Sequence, residues 1–425
     1  MLTLIIFFVL LFLGFPVALT LMMGTLVLIA DNNLQALLNT LPMNFYGALE
    51  KNGLLAIPLF MLVGEVMNRA GLTQRLISAA NVLVGGFRGG LAYVNLLTNA
   101  MAAAILGSAV AQIAVMSKVM IPQMHQRGYN KGFAAAITAS GGMMGPIIPP
   151  SMLMIIYGVI AFQPIAALFV AGIIPGLLML LAFSVVVFIV GMFSTLPKEE
   201  WLSWKDAAPK LIAALGPGMI PVVIIVGVTS GVMTPTESGA AASFIALILG
   251  IFVYRTIRFS EIPAILQSIA LSTAVITSLI AAATAFGWVL SFEGAPDRLV
   301  EAIVRMTSSP LVFLLFVNVI LFILGMFLET ISVMIIIVPV LLPAVHSMNI
   351  DPIHFGVVVS LGTVIGLLTP PVGPGLYVAM VQADVLQKEI FFWIIPFLVA
   401  LIAVMGIVTV FPVLSVWLPA FYGLI

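Results

Sequence analysis

Apolar residues fill this sequence in long blocks that contain no Asp, Glu, Lys or Arg. The charge-free blocks cover residues 2–30, 89–117, 132–197, 262–292, 352–383 and 390–425. Each block is longer than the roughly 20 residues that a helix needs to cross the hydrocarbon core of a bilayer. The pattern predicts an all-α polytopic membrane protein. We expect the first block to be retained as a membrane helix, because no basic region precedes it and it is too long for a signal peptide.

Two of these blocks are interrupted by glycine and proline, which are poor residues for a helix interior. Gly145-Pro-Ile-Ile-Pro-Pro150 and Gly366-Leu-Leu-Thr-Pro-Pro371 both read G-x-x-x-P-P. Upstream of each lies a second match, Ile105-Leu-Gly107 and Ile323-Leu-Gly325, at nearly the same spacing. Self-similarity at a fixed spacing is the mark of a repeat, so the matches predict two structural repeats, residues 1–210 and 211–425.

Each repeat contains a second unusual element, a pair of short apolar runs joined at the Ile-Leu-Gly match. Runs this short predict re-entrant helical hairpins, at about 93–122 and about 311–343. Broken transmembrane helices follow, at about 133–160 and about 355–383. Irregular backbone is tolerated at membrane depth only where it is buried in protein or lines a wet cavity.

Paired interrupted segments in matching halves point to the binding site of a secondary transporter. A break frees backbone carbonyls and amides that lipid cannot satisfy, and a partly dehydrated cation or a polar solute can. We therefore predict two sites, one joining hairpin tip Gly107-Ser108 to the first break and one joining tip Gly325-Met326 to the second. The alternative is that Gly and Pro only kink ordinary membrane helices, in which both are common.

A few ionisable residues lie inside or beside the apolar blocks, where they are expensive and usually functional. Glu329 fits either a structural clamp near the second site or a direct ligand, whereas Glu237 follows a plausible helix start and fits a structural role. Glu65 precedes Arg69 by one helical turn and fits a local ion pair. Lys118 fits either snorkelling to the membrane interface or contact with an anionic substrate.

Uncharged oxygens near the breaks are the better candidates for direct contact with a monovalent cation, because no dense carboxylate cluster of the calcium or magnesium type is present. The candidates are Ser108, Gln112, Thr138, Ser140, Ser151, Thr330, Ser332, Thr363 and Thr369. The three histidines, His125, His346 and His354, are scattered, so we expect surface positions for them and no metal site.

Composition narrows the function further. The chain is 63% hydrophobic and 7% charged, whereas soluble domains carry about a quarter charged residues. It has no cysteine, which excludes thiolate chemistry. Its net charge is zero, so no excess of basic residues points to nucleic-acid binding. There is no Walker-type phosphate loop and no His, Asp or Glu cluster that would suit a membrane enzyme. Ion-coupled transport without ATP hydrolysis and without a cofactor is the prediction.

At these residues the chain resembles the large membrane subunit of the tripartite ATP-independent periplasmic (TRAP) transporters. The resemblance rests on segments that run through nearly the whole chain: residues 54–76, 106–124, 145–151, 231–242, 325–343 and 351–373. It implies an elevator transporter of the bacterial inner membrane that imports an organic anion with sodium. It also implies two partners, a small four-helix membrane subunit and a periplasmic substrate-binding protein.

The resemblance maps sodium and substrate contacts onto positions of this chain. Sodium site 1 maps onto Gly107, Ser108, Gly145, Pro149 and Pro150, and sodium site 2 onto Gly325, Thr330, Gly366, Thr369 and Pro370. Substrate contacts are expected at Ser108, Gln112, Ser151, Ser332 and Gly373.

Two departures from the family pattern lie where substrate would bind. Gln112 replaces an acid common at the first tip, and Gly373-Pro374-Gly375 replaces a common Gly-Leu-Asn. The stretch around Lys118 (AVMSK) resembles the sialic-acid branch, so sialic acid and C4-dicarboxylates both stay open as substrates. A stand-alone divalent-anion/sodium symporter of similar hairpin architecture is the alternative function, and proton coupling through Glu329 or Glu237 is the alternative driving force.

Overall fold

The protein is described by a computed structural model over residues 6–7, 9–11, 13–194, 196–198, 200–295, 298, 300–301, 307–369 and 373–425. The described chain is helical, and its only β-type pairing is an isolated bridge between Arg88 and Lys198. The α-helices are numbered here in chain order: α1 Val17–Asp31, α2 Leu41–Leu49, α3 Ala56–Arg69, α4 Leu72–Val84, α5 Gly90–Leu106, α6 Ala109–Gln126, α7 Lys131–Gly142, α8 Met152–Ala161, α9 Ile165–Phe193, α10 Trp204–Thr229, α11 Pro235–Ile248, α12 Ile262–Phe292, α13 Pro310–Gly325, α14 Thr330–Ser347, α15 Pro352–Leu368, α16 Pro374–Ala383, α17 Gln387–Val410 and α18 Val413–Phe421.

Long apolar helices surround a buried centre. Within the described residues, six helical segments are long and apolar enough to span a membrane, and they are Ile165–Phe193, Trp204–Thr229, Pro235–Val253, Phe259–Phe292, Thr330–Ser347 and Gln387–Val410. Large apolar side chains on these helices are exposed, for example Phe188 and Ile212. An extensive exposed apolar surface is unfavourable in water, so these faces fit a lipid environment. The chain is a multi-pass membrane protein.

The first predicted hairpin is present as α5 and α6, which reverse direction at Gly107. Gly107 has a φ of +61°, a left-handed conformation that costs glycine no steric energy. Leu91 at the start of α5 and Gln123 near the end of α6 line one cavity, so both arms open at the same end of the molecule. The two helices therefore form a hairpin over residues 90–126, against the predicted 93–122, and its re-entrance into the membrane stays a prediction.

The second predicted hairpin is present as α13 and α14, which meet around Gly325 to Glu329. Along its length α13 runs parallel to α15, because a Cβ on Gly362 would lie 3.0 Å from the Leu321 Cβ and one on Gly325 would lie 2.9 Å from the Gly366 Cα. The start of α13 is therefore near the start of α15, which itself follows the end of α14. Both arms again open at one end.

The two broken helices, α7–α8 and α15–α16, cross the molecule in opposite directions. Near the end of α8, Tyr157 donates its hydroxyl proton to the carbonyl of Pro352 at the start of α15. At the other end, the ring of Phe133 at the start of α7 packs 5.3 Å from that of Trp393, in the first turns of α17 that follow α16. The start of one broken helix thus lies near the end of the other. The breaks themselves occupy residues 143–151 and 369–373, of which 370–372, including predicted site residue Pro370, lie outside the described residues.

The expected surface position of His354 is wrong. His354 is 1% exposed, and its Nδ1 lies 3.2 Å from the Ser415 hydroxyl. The ring is buried because α18 returns over the start of α15, a contact between residues far apart in sequence. The repeat boundaries at 210 and 211 stay a prediction.

Replacing Gly366 with alanine should destabilise the fold, because the new Cβ would collide with the Gly325 backbone and would lie only 2.9 Å from the Met326 nitrogen. Backbone cannot yield as a side chain can, so we expect a cost of about 1–3 kcal/mol, the usual range for overpacking. Thermal unfolding of the detergent-solubilised protein measures it.

Gly406→Ala is the matched control, because a Cβ at Gly406 meets nothing within 4 Å. Equal unfolding midpoints for the two variants would contradict the close approach of α13 and α15.

Candidate functional site

A cavity of about 430 Å³ lies where the two hairpin tips come together. The first tip contributes Leu106 and Ser108, the second contributes Glu329 and Ile331, and Met152 at the start of α8 completes this side. Glu329 is exposed in this cavity and lines a neighbouring one of about 470 Å³ as well. The cavity therefore lies between the two hairpin tips.

The opposite wall of the cavity comes from α3 and α12 and carries polar side chains. Glu65 and Asn68 lie on α3, and Ser268 and Ser272 lie on α12. The predicted ion pair within α3 is confirmed, since the Glu65 carboxylate accepts a hydrogen bond from Arg69 Nε at 2.6 Å. Hydroxyl, amide and carboxylate groups thus face the hairpin tips across an open space of small-molecule size.

The first tip rests directly on the first break. A Cβ on Gly107 would lie 3.3 Å from the Met152 nitrogen and 3.8 Å from the Pro150 carbonyl oxygen. Ser151 begins α8 by accepting a hydrogen bond from Met154 N at 3.3 Å, and it donates to the Pro146 carbonyl. Because Ser151 is fully buried and both its donor and acceptor are engaged, its predicted substrate contact has no open hydroxyl to use in this conformation.

Gln112, one turn beyond the first tip, does not face the cavity. Its side chain is fully buried, and its amide nitrogen donates to the Asn99 carbonyl at 2.7 Å and to Asn99 Oδ1 at 2.9 Å. Asn99 donates to Asn95 Oδ1 at 2.7 Å, and Asn95 donates to Thr138 Oγ1 at 2.7 Å. This chain of four buried side chains, Gln112, Asn99, Asn95 and Thr138, is called the polar ladder below.

The free end of the polar ladder points at the first break. Gln112 Oε1 has no hydrogen-bond partner among the described residues, and a Cβ on Gly145 would lie 2.6 Å from it. A buried acceptor left unpaired costs about 1–3 kcal/mol, which a bound cation or water would offset. The sequence pointed to Gln112 and Thr138 but missed Asn95 and Asn99. Their i, i+4 spacing inside a charge-free block was the available signal.

The second tip and break meet through backbone alone. Gly325 of the tip and Gly366 of α15 lack side chains, so their backbones come into direct contact. Thr369 ends α15 by donating its hydroxyl to the Ile365 carbonyl at 2.8 Å, and its amide donates to the Gly366 carbonyl at 3.0 Å. Gly373, the first described residue after Thr369, has a φ of +46°. Predicted site residues Gly325, Gly366 and Thr369 therefore lie together.

Two hydroxyl residues of α14 are close to this tip. Thr330 and Ser332 are 5% and 8% exposed, and Ser332 lines the 470 Å³ cavity that Glu329 also lines. Ser108 of the first tip is part-exposed in the 430 Å³ cavity. Of the predicted substrate contacts, Ser108 and Ser332 are those that line a described cavity.

Glu237 and Lys118 lie outside this site. Glu237 forms a capping box with Thr234, accepting from Thr234 N at 2.7 Å while its own amide donates to Thr234 Oγ1 at 3.2 Å, which is the structural role expected at a helix start. Lys118 is exposed on α6 and lines none of the cavities described above. Among the described residues, no group of His, Asp and Glu is arranged to hold a metal ion.

Comparison with known proteins shows a family match and close similarity to transporter subunits. A family model described as "Tripartite ATP-independent periplasmic transporter, DctM component" matches residues 4–414. The sialic acid TRAP transporter large permease protein SiaM of Vibrio cholerae is 36% identical over 97% of this chain and 96% of its own length. The C4-dicarboxylate TRAP transporter large permease protein DctM of Pseudomonas aeruginosa is 35% identical over 91% of this chain and 90% of its own.

A solved structure shares the fold at low sequence identity. The YdaH transporter of Alcanivorax borkumensis superposes with a TM-score of 0.65 and 13% identity, covering 96% of this chain and 98% of the other. Similarity of this kind concerns the fold alone.

Replacing Asn99 with the similarly sized leucine should break the polar ladder in the middle. Asn95 Oδ1 would lose its donor and Gln112 one acceptor, so we expect a loss of about 1–3 kcal/mol in stability, measured by thermal unfolding.

Asn44→Leu serves as the control, because the Asn44 amide makes only an exposed hydrogen bond to the Thr40 carbonyl. An Asn99 variant as stable as the Asn44 variant would show that the ladder contributes nothing to the fold.

Proposed function

This chain belongs to the DctM component family of the tripartite ATP-independent periplasmic transporters, and on that premise we propose that it couples sodium entry to the import of a small organic anion. Members of the family are transporter permeases of the inner membrane and not enzymes, so the chain is a permease too. The sodium coupling, the substrate class and the movement described below are our proposals.

The observation that carries the proposal is the contact of each hairpin tip with a helix break. Gly107 lies against the backbone of residues 150–152, and Gly325 lies against Gly366. Helix ends at such contacts present unpaired carbonyls, which carry partial negative charge. Neutral oxygens of this kind suit a monovalent cation, whereas a divalent ion would call for several carboxylates.

We assign sodium site 1 to the backbone of Gly107, Ser108 and residues 145–150, with Gln112 Oε1 as the side chain nearest to that break. Sodium site 2 takes the backbone of Gly325 and Gly366 together with the hydroxyls of Thr330 and Thr369. The support is proximity: Gly107 lies against residues 150–152, Gln112 Oε1 lies beside Gly145, and Gly325 lies against Gly366, although the members of each pair come from separate helices. A bound ion would draw tip and break together in both sites.

The substrate is proposed to bind in the 430 Å³ cavity between the tips and the α3–α12 wall. Ser108, Asn68, Ser268 and Ser272 supply hydrogen-bond donors for a carboxylate. The relatives from V. cholerae and P. aeruginosa are named for sialic acid and for C4-dicarboxylates, and both are carboxylates. The Glu329 carboxylate disfavours a free anion in this space, so cations at the tips would be needed before an anion is stable there.

For transport, we propose that the hairpins and broken helices move as one body against α3 and α12. The cavity wall would then change while the contacts inside each site stay intact. The family's name describes a tripartite periplasmic transporter. We propose that the other two parts are a periplasmic binding protein that delivers the solute and a small four-helix membrane subunit.

Uptake should depend on sodium and on both proposed partners. In proteoliposomes holding this chain and the small subunit, a labelled carboxylate such as sialic acid or succinate should accumulate only with an inward sodium gradient and with binding protein outside. Accumulation by this chain alone would favour the stand-alone symporter. Accumulation that follows a proton gradient in sodium-free buffer would contradict sodium coupling.

Gly145→Leu should abolish uptake while the protein still inserts in the membrane. The new side chain would displace the Gln112 carboxamide, whose Oε1 lies 2.6 Å from the position of a Cβ, and fill the space assigned to sodium. Gly218→Leu on α10 is the control, because a Cβ there meets nothing within 4 Å. The measurements are sodium-dependent uptake and membrane yield. Normal uptake by the Gly145 variant would exclude the first break as an ion site.

A further inference from the structure

A second polar cavity lies at the open end of the first hairpin, apart from the transport cavity. Its volume is about 200 Å³, and it is enclosed by α4, by the start of α5, by the end of α6 and by the start of α10. None of its lining residues belongs to the hairpin tips or the helix breaks. The proposed transport function makes no use of it.

The side chains around this cavity are donors of the kind that bind an oxyanion. Lys210 and Arg127 supply two positive charges, and Gln74, Gln123 and Gln126 supply amide protons, whereas the Ser78 hydroxyl donates to the Gln74 carbonyl at 3.0 Å. No carboxylate is among the residues that line it. Arg and Lys are the residues that recognise phosphate, the one through a planar fork of donors and the other as a point charge.

The Lys210 ammonium is available to bind a ligand. It forms no ion pair or hydrogen bond within the described part of the chain. Asp206, one turn earlier on α10, is exposed and does not line the cavity. The half-buried Lys210 ammonium therefore lacks an acidic partner there and gains from an incoming anion.

Basic residues cluster at this end of the molecule. The loops before α5 and before α10 are held together by a hydrogen bond from Gly89 N to the Pro197 carbonyl at 2.8 Å and by ring packing of Phe87 on Trp201 at 5.2 Å. These loops and the neighbouring helix ends carry Arg88, Arg127, Lys131, Lys198, Lys205 and Lys210. The base of the second hairpin, residues 307–310 and 347–351, carries no Lys or Arg.

The charge difference orients the cavity in the membrane. Because Lys and Arg concentrate on cytoplasmic segments, we expect the basic end with the first hairpin base to face the cytoplasm. Trp201 and Trp204 are exposed at this end, and tryptophan favours the level of the lipid headgroups. The cavity thus lies where the anionic lipids of the cytoplasmic leaflet present their phosphates.

We propose that this cavity binds the phosphate headgroup of an anionic phospholipid from the cytoplasmic leaflet. Basic pockets between membrane helices on that side bind such headgroups. A headgroup held by Lys210 of α10 and Arg127 at the end of α6 links α10 to the first hairpin. Lipid composition would then influence how firmly the hairpin base is held.

Native mass spectrometry of the purified chain, with any membrane partner that remains bound, tests the proposal. The protein is equilibrated with equal amounts of phosphatidylglycerol and phosphatidylcholine, and retained lipid is counted per protein. Wild type should retain phosphatidylglycerol in preference. Lys210→Gln and Arg127→Gln should each weaken that retention about fivefold, the effect of one basic charge near an anionic surface.

Lys205→Gln is the matched control, because Lys205 is exposed on the same helix and does not line the cavity. Equal retention by the Lys205, Lys210 and Arg127 variants would overturn the site. A separate arm adds glycerol 3-phosphate. Failure to compete supports a lipid, whereas full competition at the same concentration as the lipid would identify a soluble phosphate ligand and overturn the lipid assignment. Sodium-dependent uptake is measured in neither arm, so the outcome is independent of the transport proposal.

Discussion

A helix that ends inside a bilayer leaves backbone amides and carbonyls for which lipid offers no partner, and this protein has such ends at four places, its two hairpin tips and its two helix breaks. They are tolerated because each is buried against another. Gly107 packs closely on the backbone at Met152, and Gly325 packs on Gly366 at a separation that a side chain would prevent. The same lack of side chains brings the backbones of tip and break close together, so the feature that makes the fold possible also suits the proposed ion sites.

The buried polar ladder extends this constraint into the protein interior. Gln112, Asn99, Asn95 and Thr138 are neutral, and each donor that links them has an acceptor, whereas the acceptor Gln112 Oε1 has no partner among the described residues. A buried network whose members are satisfied fixes side-chain positions, and one unsatisfied member is costly. The ladder therefore holds a single oxygen in place beside Gly145. An acid at residue 112 would add a full negative charge beside the first break. The amide of Gln112 is neutral, so the net charge there depends on the bound ligand.

Sequence alone predicted the features that depend on local chemistry. Gly and Pro marked both tips and breaks, and one-turn spacings indicated the Glu65–Arg69 pair and the placement of Glu237. Contacts between distant segments were not predictable in this way. His354 is buried by Ser415 and Asn95 is paired with Thr138, but an apolar block does not reveal which of its faces meets which partner. The cavity wall was missed for the same reason, since Ser268 and Ser272 acquire a role only when α12 faces the tips.

The opposite directions of the two broken helices bear on how such a site could be reached from both sides of the membrane. Each break lies partway along its helix, and each hairpin opens toward a different end of the molecule. Across the cavity the hairpin tips face α3 and α12, and the first tip also contacts α3 directly. That contact is close at Gly64, where a Cβ would lie 2.9 Å from the Ile105 carbonyl oxygen at the first tip. A glycine at this position presents a smooth backbone surface to the hairpin, and such a surface permits the sliding that the proposed transport cycle requires.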